Sequence, residues 1–244
     1  MKKNARFSLY MILIALVSTM AGCYYESGKQ KRIEGEGPVV KRVLELDHFE
    51  GIIIQNSADV YITKGNTQRI EVEAAENIIS NLETEVSGRT WRIRNKRPVW
   101  RTKHLLIKIT IPEFRLIKIS GSGQVETETP FNNLDDVELR ISGSGDLFID
   151  IDAEDIRGGI SGSGSINLAG EAKHVDFSIS GSGNINAFEL EARDGSARIG
   201  GSGSIRTHIT DDLEARISGS GNIIYRGQPR ISSSISGSGN IRSR

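Results

Sequence analysis

The sequence predicts an all-β protein that is built as a parallel β-solenoid, with short strands stacked in rungs of 18–22 residues. The first observation is the phrase Ile-Ser-Gly-Ser-Gly-x-Ile, which recurs at intervals of 22, 19, 19, 20, 18 and 18 residues. A nearly fixed period of this length is typical of repeat architectures. The copies, intact or nearly so, begin at Ile119, Ile141, Ile160, Ile179, Ile199, Ile217 and Ile235.

The second observation is the alternation of side chains within each copy. In a strand, Ile179, Gly181, Gly183 and Ile185 share one face, and the Ser and Asn residues between them share the other. One such unit cannot bury its apolar face alone, whereas stacked units place isoleucine on isoleucine inside and serine on serine outside. A propeller fits less well, because each blade needs about 40 residues.

The N-terminal residues 1–22 are typical of a targeting segment. A positive start with Lys2, Lys3 and Arg6 precedes a short apolar run, and small residues lead up to Cys23, the single cysteine. The apolar run is too short to span a membrane. An ordinary signal peptide with an incidental cysteine remains an alternative.

The residues before Cys23 resemble the bacterial lipoprotein lipobox. The resemblance implies cleavage before Cys23 and attachment of diacylglycerol and palmitate there, and several acyl chains anchor a protein stably. Tyr24 follows the cysteine in place of the Asp that retains many Gram-negative lipoproteins at the inner membrane. We therefore expect an outer-membrane lipoprotein.

The rest of the chain divides into three predicted segments. Residues 23–42 are polar and without period, which indicates a lipid-anchored tether. Residues 43–118 are predicted to form irregular N-terminal rungs, and residues 119–244 the regular ones. Within the irregular part, Ile54 to Ile62 aligns position by position with Ile141 to Ile149, which indicates a degenerate early rung.

Two local features of these segments carry expectations. Ala74 to Leu82 is the one stretch that suits a short helix or a corner insertion. The last copy of the repeat ends at Ile241, and only three residues follow it in this sequence. An uncovered strand edge invites pairing with another chain, so self-association through the C-terminal rung is an expected mode of assembly.

A basic and aromatic segment, Arg89 to Lys103, contains both tryptophans. Basic and aromatic side chains together bind anionic glycans or nucleic acid. The candidate ligand contacts are Trp91, Arg97, Trp100 and Arg101, with Trp100 the foremost because it lies beside Pro98 in a predicted loop. The alternative is an ordinary strand with its charges turned outward.

Other chemistry finds little support in the sequence. The four histidines lack partners at metal-ligand spacing, so no metal, cofactor or catalytic residue is predicted. Calcium-binding nonapeptide repeats need an Asp in each copy, and here only Asp146 follows a Gly-Ser-Gly phrase. The formal net charge is zero, which gives no reason to expect nucleic acid as a partner.

The Gly-Ser-Gly array, the preceding β-rich region and the lipobox together resemble the "putative auto-transporter adhesin, head GIN domain" family. The resemblance covers Val43 to Ile241, and its most specific stretches are Ile107 to Pro112 and Ile117 to Gly123. These are secreted or lipid-anchored bacterial proteins, frequent in Bacteroidetes. The resemblance implies a right-handed parallel β-helix-like fold, and it implies no functional residues.

Three functions are compatible with this sequence. The leading hypothesis is a non-enzymatic envelope lipoprotein whose solenoid serves adhesion, with a glycan or a surface protein as partner. The second is a polysaccharide-active enzyme on a β-helix scaffold, which requires converging carboxylates. The third is a scaffold or sensor partner that docks another envelope protein at the C-terminal rung.

Overall fold

The computed structural model describes residues 32–102 and 104–244; the predicted signal peptide, Cys23 and Lys103 lie outside the described residues. Strands make up 65% of the described residues and helix 2%, and the strands form a β-solenoid of about seven turns. The predicted all-β fold is therefore confirmed. In the described part of the chain, no helix has the length and apolarity to cross a membrane.

The described residues up to Ile111 contain nine strands and one short helix, α1 (Glu76–Ile79). The strands are β1 (Ile33–Glu34), β2 (Val39–Leu44), β3 (Gly51–Ile54), β4 (Asp59–Lys64), β5 (Arg69–Ala75), β6 (Val86–Ser87), β7 (Thr90–Ile93), β8 (Val99–Arg101) and β9 (Leu105–Ile111).

The second part contains ten further strands, and these carry the repeats. They are β10 (Leu116–Ile119), β11 (Gln124–Thr127), β12 (Phe131–Ile141), β13 (Asp146–Ile160), β14 (Ser165–Ile179), β15 (Asn184–Ile199), β16 (Ser204–Ile217), β17 (Asn222–Arg226), β18 (Arg230–Ile235) and β19 (Asn240–Ser243).

Parallel pairing from β10 to β19 stacks equivalent repeat residues. Ile141 pairs with Ile160, which pairs in turn with Ile179, and the same row continues to Ile199 and Ile217. All five side chains are at most 2% exposed. The isoleucine rows that the repeat predicts are thus the core of the solenoid, and register is fixed because a one-residue slip would turn them outward.

The Ser-Gly-Ser-Gly corners stay hydrogen-bonded from rung to rung. The Ser202 N–H donates to the Gly181 carbonyl oxygen at 3.0 Å, and the Ser204 N–H donates to that of Gly183 at 3.3 Å. A Cβ on Gly201 would overlap the Gly181 carbonyl oxygen. Glycine is required here because the backbone of the preceding rung occupies the space of a side chain.

The degenerate early rung is confirmed, although its neighbour in space is distant in sequence. Ile54 in β3 pairs with Ile119 in β10, and Val60 in β4 pairs with Val125 in β11. On their other edges β3 and β4 pair in parallel with β7 and β9, which form a further rung outside them. The chain therefore passes beyond this rung and returns to continue the stack on its opposite side.

The N-terminal end of the stack is covered by structure that does not repeat. β5 pairs antiparallel with β9, and β2 pairs antiparallel with β5. Helix α1 lies in the segment that suits a short helix, and its Ile78 and Ile79 are buried in the core. Of residues 43–118, β3, β4, β7 and β9 are rungs, whereas β5 forms a cap together with β2. β1 and the first four residues of β2 lie within the range assigned to the tether.

At the other end, the edges of the last strands are unpaired in the described residues. β18 pairs only with β16, and β19 only with β17. All six residues of β18 are exposed, including Ile231 at 41% and Ile235 at 47%. The uncovered edge that the sequence predicts is thus present, and self-association through it stays a prediction.

Candidate functional site

The structure separates the two tryptophans of the predicted ligand site. Trp91 is fully buried, with its ring centroid 5.8 Å from that of Phe49 and its indole N–H donating to the Glu83 carbonyl oxygen at 3.0 Å. Alternation along β7 turns Trp91 and Ile93 inward and Arg92 outward. Trp91 is therefore a core residue and cannot contact a ligand at the surface.

Trp100 is 60% exposed, and the backbone explains why. In the β1–β8 pair, Ile33 is opposite Val99 and Glu34 is opposite Arg101, so Trp100 is the extra residue of a β-bulge. Bulges re-aim side chains, and here the indole stands in solvent. The Arg32 guanidinium lies 4.9 Å from the ring centroid, in cation–π range.

The loop before Trp100 is held by side-chain hydrogen bonds to its backbone. The Asn81 amide nitrogen donates to the Arg97 carbonyl oxygen at 2.9 Å, and the Arg97 N–H donates to Asn81 Oδ1 at 3.0 Å. The side chains of Arg97 and Arg101 are exposed. Three of the four predicted ligand contacts are therefore exposed at the surface: Arg97, Trp100 and Arg101. Arg32, which was not predicted, lies over the Trp100 ring.

A second basic surface lies on the solenoid and was missed by the sequence analysis. The residue before the first isoleucine of each repeat faces outward, and parallel pairing stacks these residues in one row. Aligning the repeats on this position would have shown the row from sequence. Its members, in spatial order, are Arg92, Ile53, Lys118, Arg140, Gly159, Ser178, Arg198, Arg216 and Ser234.

Small residues in the middle of this row leave a groove of about 800 Å³, which we call the basic groove. Its charged lining consists of Arg92, Lys118, Arg140 and Arg198, with Glu138 as the single acidic residue. Lys118 and Arg198 are four rungs apart, a distance of about 19 Å at the usual strand spacing. The groove suits an extended ligand better than a compact one.

Two of the four cations in the groove have carboxylate partners. Arg198 Nη2 lies 2.9 Å from both carboxylate oxygens of Asp176, and Arg140 Nε lies 2.8 Å from Glu138 Oε1. Within the described ranges, no carboxylate lies within 4.0 Å of Arg92 or Lys118. The groove therefore carries a net positive charge and can attract anionic groups.

A smaller cavity of about 460 Å³ is lined by residues from the middle of the long strands β12 to β16, and it shares none of them with the basic groove. Its charged lining is mixed in sign and comprises Asp135, Asp152, Glu154, Glu171, Lys173, Glu191 and Arg193. Beside it, the Thr210 hydroxyl donates to Asp211 and lowers the pKa of that carboxyl. A lowered pKa is the opposite of what a general acid requires.

The histidines are scattered through the fold. His48, His104, His174 and His208 each lie 3.3–4.0 Å from a different carboxylate. Among the described residues, no group of three or more His, Cys, Asp and Glu side chains could hold a metal ion.

Comparison with known proteins places the chain among bacterial adhesin-like proteins. The family model described as "Putative auto-transporter adhesin, head GIN domain" matches residues 48–229. The chain has no significant match among curated proteins.

Two crystal structures show how closely the fold is shared. A putative lipid binding protein from Parabacteroides distasonis is 29% identical, with a TM-score of 0.75 over 88% of this chain and 100% of the other. A putative adhesin from Bacteroides fragilis is 25% identical, with a TM-score of 0.77 over 87% of this chain and 100% of the other. The fold is thus common to proteins described as adhesins and as lipid binding.

Proposed function

The chain belongs to the family described as "Putative auto-transporter adhesin, head GIN domain", and we propose that it is a non-enzymatic surface protein of the cell envelope that binds anionic glycans. The family supports a surface role, and the structural relatives are described as adhesins or binding proteins. The solenoid is the rigid support, and the basic groove is the binding surface.

The observation that carries this proposal is the row of outward cations in the basic groove. Carboxylate, sulfate or phosphate groups along a glycan would meet Lys118 and Arg92, whose charges have no carboxylate partner in the described structure. The hydroxyls of Ser142, Ser161 and Ser180 line the same groove and offer hydrogen bonds to sugar hydroxyls. Charge and hydroxyl groups together suit a charged carbohydrate.

Attachment to the outer membrane through Cys23 completes the proposal. The residues before Cys23 resemble a lipobox, and the relatives described as adhesins fit a protein displayed at the envelope. The anchor would hold the protein while the groove engages its ligand. Radiolabelled palmitate should therefore enter the wild-type protein and not a Cys23→Ser variant, and the label should fractionate with the outer membrane.

Binding to polygalacturonate, a sulfated glycan and neutral dextran tests the groove directly. We expect the full-length protein to bind the anionic polymers with an affinity that falls as salt is raised, and not to bind dextran. Lys118→Gln and Arg92→Gln should each weaken binding by up to about fivefold, the upper value for one exposed ion pair. Lys173→Gln, which lies in the smaller cavity and outside the basic groove, is the matched control.

Equal binding by all three variants, or equal binding of dextran, would show that the groove is not the binding surface.

A further experiment uses a phosphorylated lipopolysaccharide as the ligand, because one relative is described as lipid binding. Chain length of the polymers is followed during the assay. Shortening of polygalacturonate by the purified protein would instead favour the polysaccharide-active enzyme that the sequence left as an alternative.

A further inference from the structure

The covered end of the solenoid carries an exposed surface that the basic groove does not include. Trp100 stands in solvent on its bulge, with the Arg32 guanidinium over its ring. Arg97 and Arg101 are exposed beside it in sequence. We call these four residues the cap patch. In the described part of the chain, its three arginines have no carboxylate within 4.0 Å.

The cap patch lies close to the predicted lipid anchor along the chain. Arg32 follows Cys23 by only nine residues. Nine residues reach at most about 32 Å even when the chain is fully extended. A protein anchored through Cys23 therefore keeps Arg32 within that distance of the acylated cysteine.

The chemistry of the cap patch suits that position. Tryptophan is enriched where membrane meets water because its ring is apolar and its N–H is polar. Arginines next to a membrane are attracted to anionic headgroups. The edge strand β2, part of the same cap, adds two exposed apolar side chains, Val39 at 49% and Val43 at 52%.

We propose that the cap patch rests on the lipid headgroups of the membrane that carries the Cys23 anchor. This inference depends on the lipid anchor of the proposed function. It assigns Trp100 to membrane contact and leaves the glycan to the basic groove. The covered end then faces the lipid, and the open end with β18 and β19 points away from it.

The two tryptophans allow a direct measurement of this contact. The lipidated protein, which begins at Cys23, is placed in phosphatidylcholine vesicles with phosphatidylglycerol, and the spectrum of a Trp100→Phe variant is subtracted from that of the wild type. The difference isolates Trp100, because Trp91 is the only other tryptophan and is buried. We expect this emission to shift to shorter wavelength and to be quenched by brominated lipid, while that of Trp91 is unchanged.

The arginines are tested on the chain that begins at residue 23 and carries Cys23→Ser, because it lacks both the predicted signal peptide and the anchor. Arg32→Gln and Arg101→Gln should each lower its affinity for phosphatidylglycerol vesicles by about fivefold. Arg226→Gln, at the open end, should leave the affinity unchanged. Equal losses in all three variants would contradict a specific role for the cap patch.

The outcomes separate this inference from the proposed function. If Cys23 is lipidated but Trp100 emission is neither shifted nor quenched in vesicles, the inference is overturned and the anchor stands. If Cys23 carries no lipid and the protein is soluble in cells, the anchor is overturned and this inference with it. Glycan binding by the groove is measured independently of both.

Discussion

The two ends of the solenoid use the same core but end it in different ways. At the N-terminal end, α1 and the antiparallel strands β2 and β5 cover the stack, and Ile78 is fully buried. At the C-terminal end, Ile231 and Ile235 in β18 are 41% and 47% exposed, and nothing in the described residues pairs beyond them. The repeat that builds the stack therefore does not terminate it.

The covered end shows what termination requires. A repeat presents an unpaired edge to the next repeat, so a cap must satisfy that edge and turn polar residues outward. β5 pairs antiparallel with β9 and covers its edge, and the chain must leave the repeat pattern to make this strand. Substitutions at the covered end can be compared with substitutions at the regular rungs or the open end.

The largest expected loss of stability comes from replacing a corner glycine of a regular rung with asparagine, the residue at the equivalent position of the early rung. Asn56 occupies the position of Gly201, where a Cβ would overlap the Gly181 carbonyl oxygen. We expect Gly201→Asn to lower the free energy of unfolding by about 4 kcal/mol or more, since the rungs must separate and the Ser202–Gly181 hydrogen bond is lost. Chemical denaturation measures it.

The neighbouring glycine provides the control for this change. A Cβ on Gly200 would lie 3.8 Å from Ser218 Oγ, an ordinary contact, so Gly200→Asn should cost less than about 0.5 kcal/mol. The reverse change, Asn56→Gly, should lose only the hydrogen bond that the Ala58 N–H donates to Asn56 Oδ1 at 3.2 Å. Similar losses at Gly200 and Gly201 would show that the stacked carbonyl is not the cause.

The next effect contrasts an isoleucine at each end. Ile78→Ala should lower the free energy of unfolding by about 3 kcal/mol, because the buried side chain leaves a cavity under α1. Ile235→Ala at the open end should cost less than about 1 kcal/mol, because the side chain is already 47% exposed. A large loss for Ile235→Ala at high protein concentration alone would indicate that the open end is buried in an oligomer.

A smaller effect concerns the carboxylate that links the first rungs where β3, β7 and β10 begin. Glu50 is 5% exposed, forms an ion pair with Arg89, and lies 3.4 Å from Arg115 Nε through Oε2. Glu50→Gln should cost about 1–3 kcal/mol, because the buried side chain loses charge-assisted hydrogen bonds. Glu138→Gln breaks an exposed pair in a regular rung and should cost about 0.5 kcal/mol or less in the same denaturation experiment.

The smallest effect is a shift in pKa, and it compares two exposed carboxyls. Hydrogen bonding and charge from Arg69 lower the pKa of Glu71 in the cap, whereas the Thr210 hydroxyl is the main cause of the lowered pKa of Asp211 in the solenoid. A carboxyl with a lowered pKa in the folded state stabilises the fold above its unfolded pKa. That contribution is lost as pH falls through the folded value.

Nuclear magnetic resonance titration distinguishes the two causes. Arg69→Gln should raise the pKa of Glu71 toward its ordinary value, and Thr210→Val should do the same for Asp211. Added salt should raise the pKa of Glu71 more than that of Asp211, because salt screens an exposed guanidinium charge and leaves a hydroxyl hydrogen bond intact. An equal response to salt would contradict this assignment.

The sequence predicted the regular rungs well because their information is local and repeated. The alternation of Ile179 and Gly181 with serine predicts that both face the interior, and the same alternation recurs in every copy of the repeat. The same logic identified Ile54 to Ile62 as a rung, even though it pairs with residues about 65 positions later. The basic row was also readable in the repeats, at the position of Lys118 and Arg140.

Of the two tryptophans in the predicted ligand site, only one is exposed, and the backbone conformation explains the difference. Trp91 and Trp100 are similar in sequence context, since both have basic neighbours. Alternation along β7 buries Trp91, while a bulge against β1 exposes Trp100. A bulge depends on the strand opposite it. Here that strand is β1, which lies 66 residues earlier in the chain, so no local sequence pattern predicts the bulge.

The sequence by itself therefore determined the solenoid, its inward rows and the glycine corners, because stacking repeats the same local requirement in every rung. The tertiary structure alone decided which edge is covered, where the chain crosses from one side of the early rung to the other, and which tryptophan reaches solvent. Each of these depends on contacts between residues far apart in the chain. Such contacts leave no period in the sequence, because each occurs once.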